Sequence, residues 1–223
     1  MKSNSELISA VETHPYPANL KEADSGRYVV CNASNARQLG MPDPESVVGL
    51  TIHDMRYARS GWGAPHAEAM AALDFRARDK KMSVSSRQAI LDADGEARLE
   101  EVTKSPIMGH RRNVLGILSF QRDLTSSLAL QDVYKLYRGF YKKPEAIRRM
   151  LAYLGIEGSF AVPPTEAPFK VLLGKIERLP SKEIARLLGI SDRTVACHIE
   201  GLSNKTADGD LRRVLALARR KGI

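Results

Sequence analysis

"SKEIARLLGISDRTVACHIEGL", residues 181–202, decides how this chain is read. Two short apolar patterns of helical period meet at a glycine. Ser181 is placed to cap a helix from about Lys182 to Leu188, with Ile184, Leu187 and Leu188 facing inward. Ala185 is small enough to let a second helix come close. Gly189 suits the left-handed residue that ends a helix, and Ile190 packs back into the angle. Ser191 caps the second helix, with Asp192 favourably placed in its first turn. Val195, Ile199 and Leu202 form an i, i+4, i+7 inner stripe. That leaves Arg193, Ala196, Cys197, Glu200 and Asn204 on the outer face. A short turn followed by a polar helix is the geometry that lays a recognition helix in a major groove. A plain helical hairpin requires the apolar spacing, but not this succession of cap, small residue, glycine, apolar residue and second cap.

Charge agrees with that reading. The 223 residues carry a net +8, from 34 basic and 26 acidic side chains. Residues 1–125 hold 16 of each, so the whole excess lies in residues 126–223. A polyanionic partner for the C-terminal part is one explanation and a solvated basic surface is the other. No apolar run approaches the roughly 20 residues that span a bilayer. The N-terminus lacks the continuous apolar core of a secretory signal. Cys31 and Cys197 are far apart and without metal-ligand spacing, which suggests a reducing compartment and a cytoplasmic protein. There is no phosphate-binding glycine loop, no nucleophile with a base in order, and no metal cluster. The expectation is a non-enzyme with no catalytic residues and no metal site.

Residues 1–125 alternate short strand-like runs with turns. "RYVVCNA" (27–33) follows the turn signal "DSG", and "NARQLGMPDPES" reads as a short helix stopped by Gly40 and Pro42. A helix is expected over 64–82, with Ala67, Met70, Ala71 and Phe75 as its buried stripe. Three strands are expected at 83–91, after the turn "DADG", and at 114–123. Helices set within an antiparallel sheet make an α+β pattern. From 125 onward the pattern is helical. Leu130, Val133, Tyr137 and Phe140 keep a 3-4-3 spacing, the seam of a helix that meets a partner helix. Pro144 opens a further helix carrying Ile147, Met150, Leu151 and Leu154. The Gly/Pro-rich stretch 155–168 reads as a linker. The expected division is 1–124, a helical linker and dimerisation segment at 125–160, and an all-α domain at 161–223.

With these residues in view, "SKEIARLLGISDRTVACHIEGLSNK" resembles the LuxR-type, or NarL-type, helix-turn-helix of bacterial transcription regulators. The likeness rests on "KEIA", "LGIS", "TV", His198 and Lys205, and covers about the last 55 residues. It implies a four-helix domain that starts at 169–179 and ends with 210–223, the last helix usually dimerising. It also implies a DNA-contacting set: Arg193, Thr194, Ala196, Cys197, His198 and Lys205. The chain departs from the family at Pro168, where a Glu is common, and at Ala196, where a Lys is favoured. Losing that Lys removes a phosphate contact. Glu200 is repelled by phosphate unless it accepts from a cytosine amino group.

Residues 10–125 resemble a PAS domain. "YPANLKEADSGRYVVCNASNARQLG", followed by "PESVVGLTIHDM", is similar to its opening, and "SPIMGHRRNVLGILSFQRDLT" to its close. A receiver domain would alternate strand and helix throughout, and this segment does not. An acyl-homoserine-lactone domain is typically richer in Trp and Tyr. The flavin-photoreceptor subgroup needs a reactive Cys on a helix, whereas Cys31 ends a strand. Haem is not supported by the lone His66, so no cofactor is assigned. Trp62, His66, Met70, Phe75 and Met82 are the candidate pocket residues for a small-molecule ligand.

The expectation is therefore a cytoplasmic homodimer that binds double-stranded DNA and regulates transcription. Its PAS domain would sense a signal and control DNA binding through the dimer arrangement. Dimer contacts fall on Leu130, Val133, Tyr137 and Phe140 and on Leu211, Leu215 and Ala218 of the last helix. The alternative is a protein-interaction scaffold with a degenerate helix-turn-helix, which Ala196 and Glu200 favour.

Overall fold

The computed structural model describes residues 2–220. It divides into two compact units that meet between Leu124 and Thr125. The first unit is the α+β one. Helix α1 (Lys2–Glu12) precedes strands β1 (Ala18–Glu22) and β2 (Tyr28–Cys31). Helix α2 (Ala33–Gln38), three short 3-10 turns and helix α3 (Gly63–Lys80) follow. Strands β3 (Val84–Leu91), β4 (Ala97–Met108) and β5 (Val114–Asp123) complete the sheet. All neighbours are antiparallel, in the order β2-β1-β5-β4-β3.

The two faces of the sheet follow from the two-residue period of a strand. Ala18, Val30, Leu20, Leu118 and Phe120 meet Val11 and Ile8 of α1 on one face. On the other face Ile52, Val102 and the α3 residues Ala67, Met70 and Leu73 pack together. The register puts Asn19 opposite Ser119 and Ser119 opposite Lys104, so three polar side chains line up on this inner face. Lys21 lies on the same face, two residues from Asn19, and both are 1% exposed.

The α3 stripe differs from the expected one. Gly63, Ala67, Met70, Leu73 and Ala77 are buried, whereas Phe75 is half exposed beneath the Arg78 guanidinium. The helix ends at Lys80 with Lys81 left-handed, so Met82 falls past its end and is 58% exposed. Met82 is no pocket residue.

The second unit is all-α. It contains α4 (Leu130–Phe140), α5 (Lys143–Tyr153), α6 (Glu166–Ile176), α7 (Ser181–Leu188), α8 (Asp192–Ser203) and α9 (Leu211–Arg220). Residues 221–223 of the expected last helix lie outside the described residues. Pro144 stands in the first turn of α5, where its missing N–H has no partner to lose.

The expected linker segment 125–160 belongs to this unit. A 3-10 turn at Thr125–Ser127 precedes α4, so β5 does not run straight into the helix. The Leu130 amide donates to Glu177 at 2.7 Å, and the Gln131 amide group donates to the Lys170 carbonyl at 2.7 Å. Tyr134 meets Phe169 edge-on at 5.1 Å. Leu130, Val133 and Tyr137 are 1%, 1% and 0% exposed, with Phe140 half-buried. Their seam is filled by this chain's own helices, which the sequence spacing could not distinguish from a partner's. The stretch 155–168 is likewise no free linker. Ile156 and Phe160 are buried, and Phe160 forms an antiparallel bridge with Thr206. The amides of Ala161 and Ala207 donate to Lys205 and Ser159.

Candidate DNA-contact helix and internal cavity

Helix α7 begins at Ser181 itself, with Pro180 before it, and the Ser181 hydroxyl accepts from Lys175 rather than capping the helix. Gly189 adopts φ +67° and ends α7 as expected. Ile190 returns its amide to the Ala185 carbonyl. The Ser191 hydroxyl accepts from the Thr194 amide at 3.0 Å, the expected cap of α8. Val195 and Leu202 are fully buried, with Val195 against Val171, Ile184 and Ala185. Ala185 is buried among Val171, Ile184 and Val195, and α6 comes close to α7 at Gly174, where a Cβ would lie 2.8 Å from Ile184. Leu187 points outward at 58% exposure, because an eight-residue helix has room for only one inward line, through Ile184, Ala185 and Leu188.

On the opposite side of α8, Arg193, Ala196, Cys197 and Glu200 are exposed. Thr194, His198 and Lys205 are half-buried, and Thr194 spends its amide on the cap. Arg193 forms no ion pair among the described residues, nor do Lys182 and Arg186 of α7. Elsewhere in this unit the basic residues Lys135, Lys143, Arg148, Arg149, Lys170 and Arg213 are ion-paired.

In α9, Leu211, Val214 and Ala218 are buried within the unit. Of the expected dimer residues there, Leu211 and Ala218 serve the unit's own core and Leu215 is half-buried. Leu217, 40% exposed, is the apolar residue this helix offers outward.

The first unit contains a small cavity of about 30 Å3 behind the inner sheet face. Trp62, His66 and Met70 of the candidate pocket residues line it. So do Asn19, Tyr28, Gln38, Tyr57, Glu100 and Lys104, none of which the sequence reading had assigned. Phe75 instead lines a second pocket of about 180 Å3, together with Lys21 and Asp74. Trp62 stacks on Tyr57 with ring centres 5.3 Å apart, and His66 touches both rings. This stack depends on Gly63: a Cβ there would sit 1.8 Å from the Tyr57 carbonyl oxygen. Gly63→Ala is therefore expected to cost about 1–3 kcal/mol and to shift Trp62 fluorescence. Urea unfolding and an emission spectrum check both.

Three charged groups meet between these two pockets: Lys104 lines the small cavity, and Lys21 and Asp74 line the pocket beside Phe75. The Asp74 carboxylate accepts from Lys21 at 2.9 Å and forms an ion pair with Lys104 at 2.8 Å. Lys21 also sits 4.6 Å over the Tyr28 ring. Burial drives the Lys104 ammonium down to about 8, Lys21 adding to the shift and Asp74 opposing it. Burial pushes the His66 imidazole down to about 4, helped by Lys104 and Lys21, so it is neutral at pH 7. Burial lifts the Glu100 carboxyl to about 7 against the hydrogen bond from Gln38. Cys31 is buried at the end of β2, and burial pushes its thiol up to about 11. That is the opposite of a reactive thiolate.

The PAS fold family model matches residues 19–129. No curated protein matches the chain. Among solved structures, a Vibrio cholera VqmA–ligand–DNA complex is similar at TM-score 0.53 and 21% identity, covering 98% of this chain and 87% of that one. A phage VqmA–DPO complex is similar at TM-score 0.49 and 24% identity, over 99% of this chain and 88% of that one. The PAS domain of Bordetella pertussis BvgS gives TM-score 0.49 and 16% identity, over 63% of this chain and all of that one. Residues 19–129 therefore carry the PAS fold, and a helical unit that contains a helix-turn-helix follows it.

Proposed function

We propose that the chain is a dimeric, cytoplasmic transcriptional regulator, not an enzyme, whose PAS domain senses a small molecule and controls DNA binding. The observation that carries the reading is helix α8. It is capped by Ser191, seated on Val195 and Leu202, and presents Arg193, Ala196 and Cys197 outward, Arg193 forming no ion pair among the described residues. The architecture it shares with VqmA, seen there with ligand and DNA, supports the same assignment. Cys197 is small enough to meet a thymine methyl, and Arg193 carries the fork that reads guanine or grips phosphate. Dimerisation through α9 is supported by Leu217 and the half-buried Leu215.

The test is duplex binding measured over a salt series. Affinity should fall steeply with salt and exceed that for random duplex. Arg193→Ala should weaken binding by about 1–3 kcal/mol where it reads a base. Binding that ignores salt and does not prefer promoter DNA would instead support the scaffold reading, in which Glu200 repels phosphate.

A further inference from the structure

Helix α8 carries a carboxylate on the side where DNA would be met. Arg193, Ala196, Cys197 and Glu200 follow i, i+3, i+4 and i+7 spacing and are all exposed, so they form one outer line. The two ends of the line bear opposite charge. Seven residues of α-helix span roughly 10.5 Å, about the rise of three base pairs, so the two ends meet different pairs. Between them stand only Ala196 and Cys197, both short. Gly201, next to Glu200, faces open space, with nothing within 4 Å of a Cβ built there. A helix with so low a middle can lie along a major groove rather than enter it end-on, and Glu200 then reaches the base edges together with Arg193.

Glu200 has no cation of its own. Its helical neighbours at three and four residues are Ala196, Cys197, Ser203 and Asn204, none of them basic. Lys175 and Arg212 line the groove beside it, yet neither forms an ion pair with it among the described residues. The Lys175 ammonium donates to Ser181 at 2.9 Å instead. A free carboxylate carried into a groove walled by phosphates loses affinity for every sequence unless a base donates to it. Guanine and thymine present no donor in the major groove. Adenine sets its amino group beside the N7 acceptor, which repels a carboxylate. Cytosine offers an amino group and no acceptor beside it.

We infer that Glu200 is a specificity-determining residue that reads a cytosine, its carboxylate accepting from the base's amino group. Repulsion and recognition then act together. The carboxylate weakens binding to duplex of other sequences and regains the loss at one C·G pair. Ala196 adds no phosphate contact, so base contacts decide more of the affinity. This inference rests on the DNA-binding role proposed above.

Selection from a duplex pool with randomised half-sites tests it, using the full chain and its Glu200→Gln and Glu200→Ala variants. Residue 200 is exposed, so both variants should keep the parent's circular dichroism spectrum. The parent should enrich a C·G position. Replacing that cytosine in the selected duplex should weaken binding on the order of 10- to 100-fold. Glu200→Gln should move the preference at that position from cytosine to adenine, because a side-chain amide matches adenine's donor and acceptor. Glu200→Ala should bind random duplex more tightly and lose the preference at that position alone. A Glu200→Gln protein that enriches the same sequence as the parent would overturn the assignment. So would a Glu200→Ala protein that binds every duplex more tightly with the parent's preference intact, since the carboxylate would then only repel phosphate. A parent that enriches no sequence and binds duplex without salt dependence would overturn the DNA-binding reading itself, and this inference with it.

Discussion

Asp74→Asn is expected to destabilise the PAS domain by about 3–5 kcal/mol, the range for removing one partner of a buried ion pair. The carboxylate serves two ammonium groups at 2.9 and 2.8 Å. Without it, Lys21 and Lys104 face each other in a site from which water is largely excluded. The Asn amide returns hydrogen bonds but no charge. The deficit should depend on pH. Lys104 already releases its proton near 8 in the folded state, and without Asp74 it does so at lower pH still. The variant should therefore recover part of its stability as pH rises toward 9. In the parent the sign is the same but weaker: between about 8 and the ordinary lysine value the unfolded chain binds more protons, so stability rises with pH. At the acid end Asp74 acts oppositely. Its carboxyl is held below the usual range by Lys104 and Lys21 against burial, and the stability it gives is lost as pH falls through that depressed value. Urea unfolding from pH 6 to 9 measures the first two effects. A second substitution, Lys104→Met, should restore much of the loss, because one lysine is then left rather than two. If Asp74→Asn unfolds at the same urea concentration as the parent, the triad is not a buried ion cluster.

The Gly189 stop and the Ser191 cap could be read from sequence because they are local, whereas the Ser181 hydroxyl is taken by Lys175 instead. Gly189 with positive φ and Ser191 accepting from Thr194 are each decided within three residues. The strand at 114–123 and the turn before β4 were equally local. What could not be read depended on partners distant in the chain. Lys21 and Asp74 are 53 residues apart. A lysine in a strand is normally a solvent-face residue, and nothing nearby indicates otherwise. One signal was present: Glu100, Val102 and Lys104 alternate, so a buried Val102 carries both charges to the inner face. The same limit explains α3. Ala67, Met70 and Phe75 sit at plausible helical spacings, but the sheet covers the line through Leu73 and Ala77. The pattern fixes that a helix has an apolar side, not which of two adjacent lines is covered.

Val133→Asp tests the largest correction. In the expectation drawn from spacing, Val133 belongs to a seam between two protomers, and a charge there would separate the dimer while leaving each domain folded. In the structure Val133 is 1% exposed inside one chain, on a helix tied to α6 through Glu177 and through Tyr134 against Phe169. A carboxylate at a position 1% exposed is taken out of water and must be buried at a cost or take up a proton. The expected cost is about 4 kcal/mol or more, enough to unfold a helical unit of ordinary stability. The PAS core has its own residues and should keep its own transition. Circular dichroism should therefore show a loss of helical signal, with the remaining unfolding step close to that of the PAS domain. Leu217→Asp on α9 is the matched control. At 40% exposure it should change stability by no more than about 0.5 kcal/mol. Its effect belongs to association, seen as a lower sedimentation coefficient and weaker binding to a two-half-site duplex, whose half-sites lie about 34 Å apart. A Val133→Asp protein that keeps its full helical signal and sediments as a monomer would return the seam to the dimer interface. Loss of helix there, with Leu217→Asp folded but dissociated, would place the contact between protomers on α9.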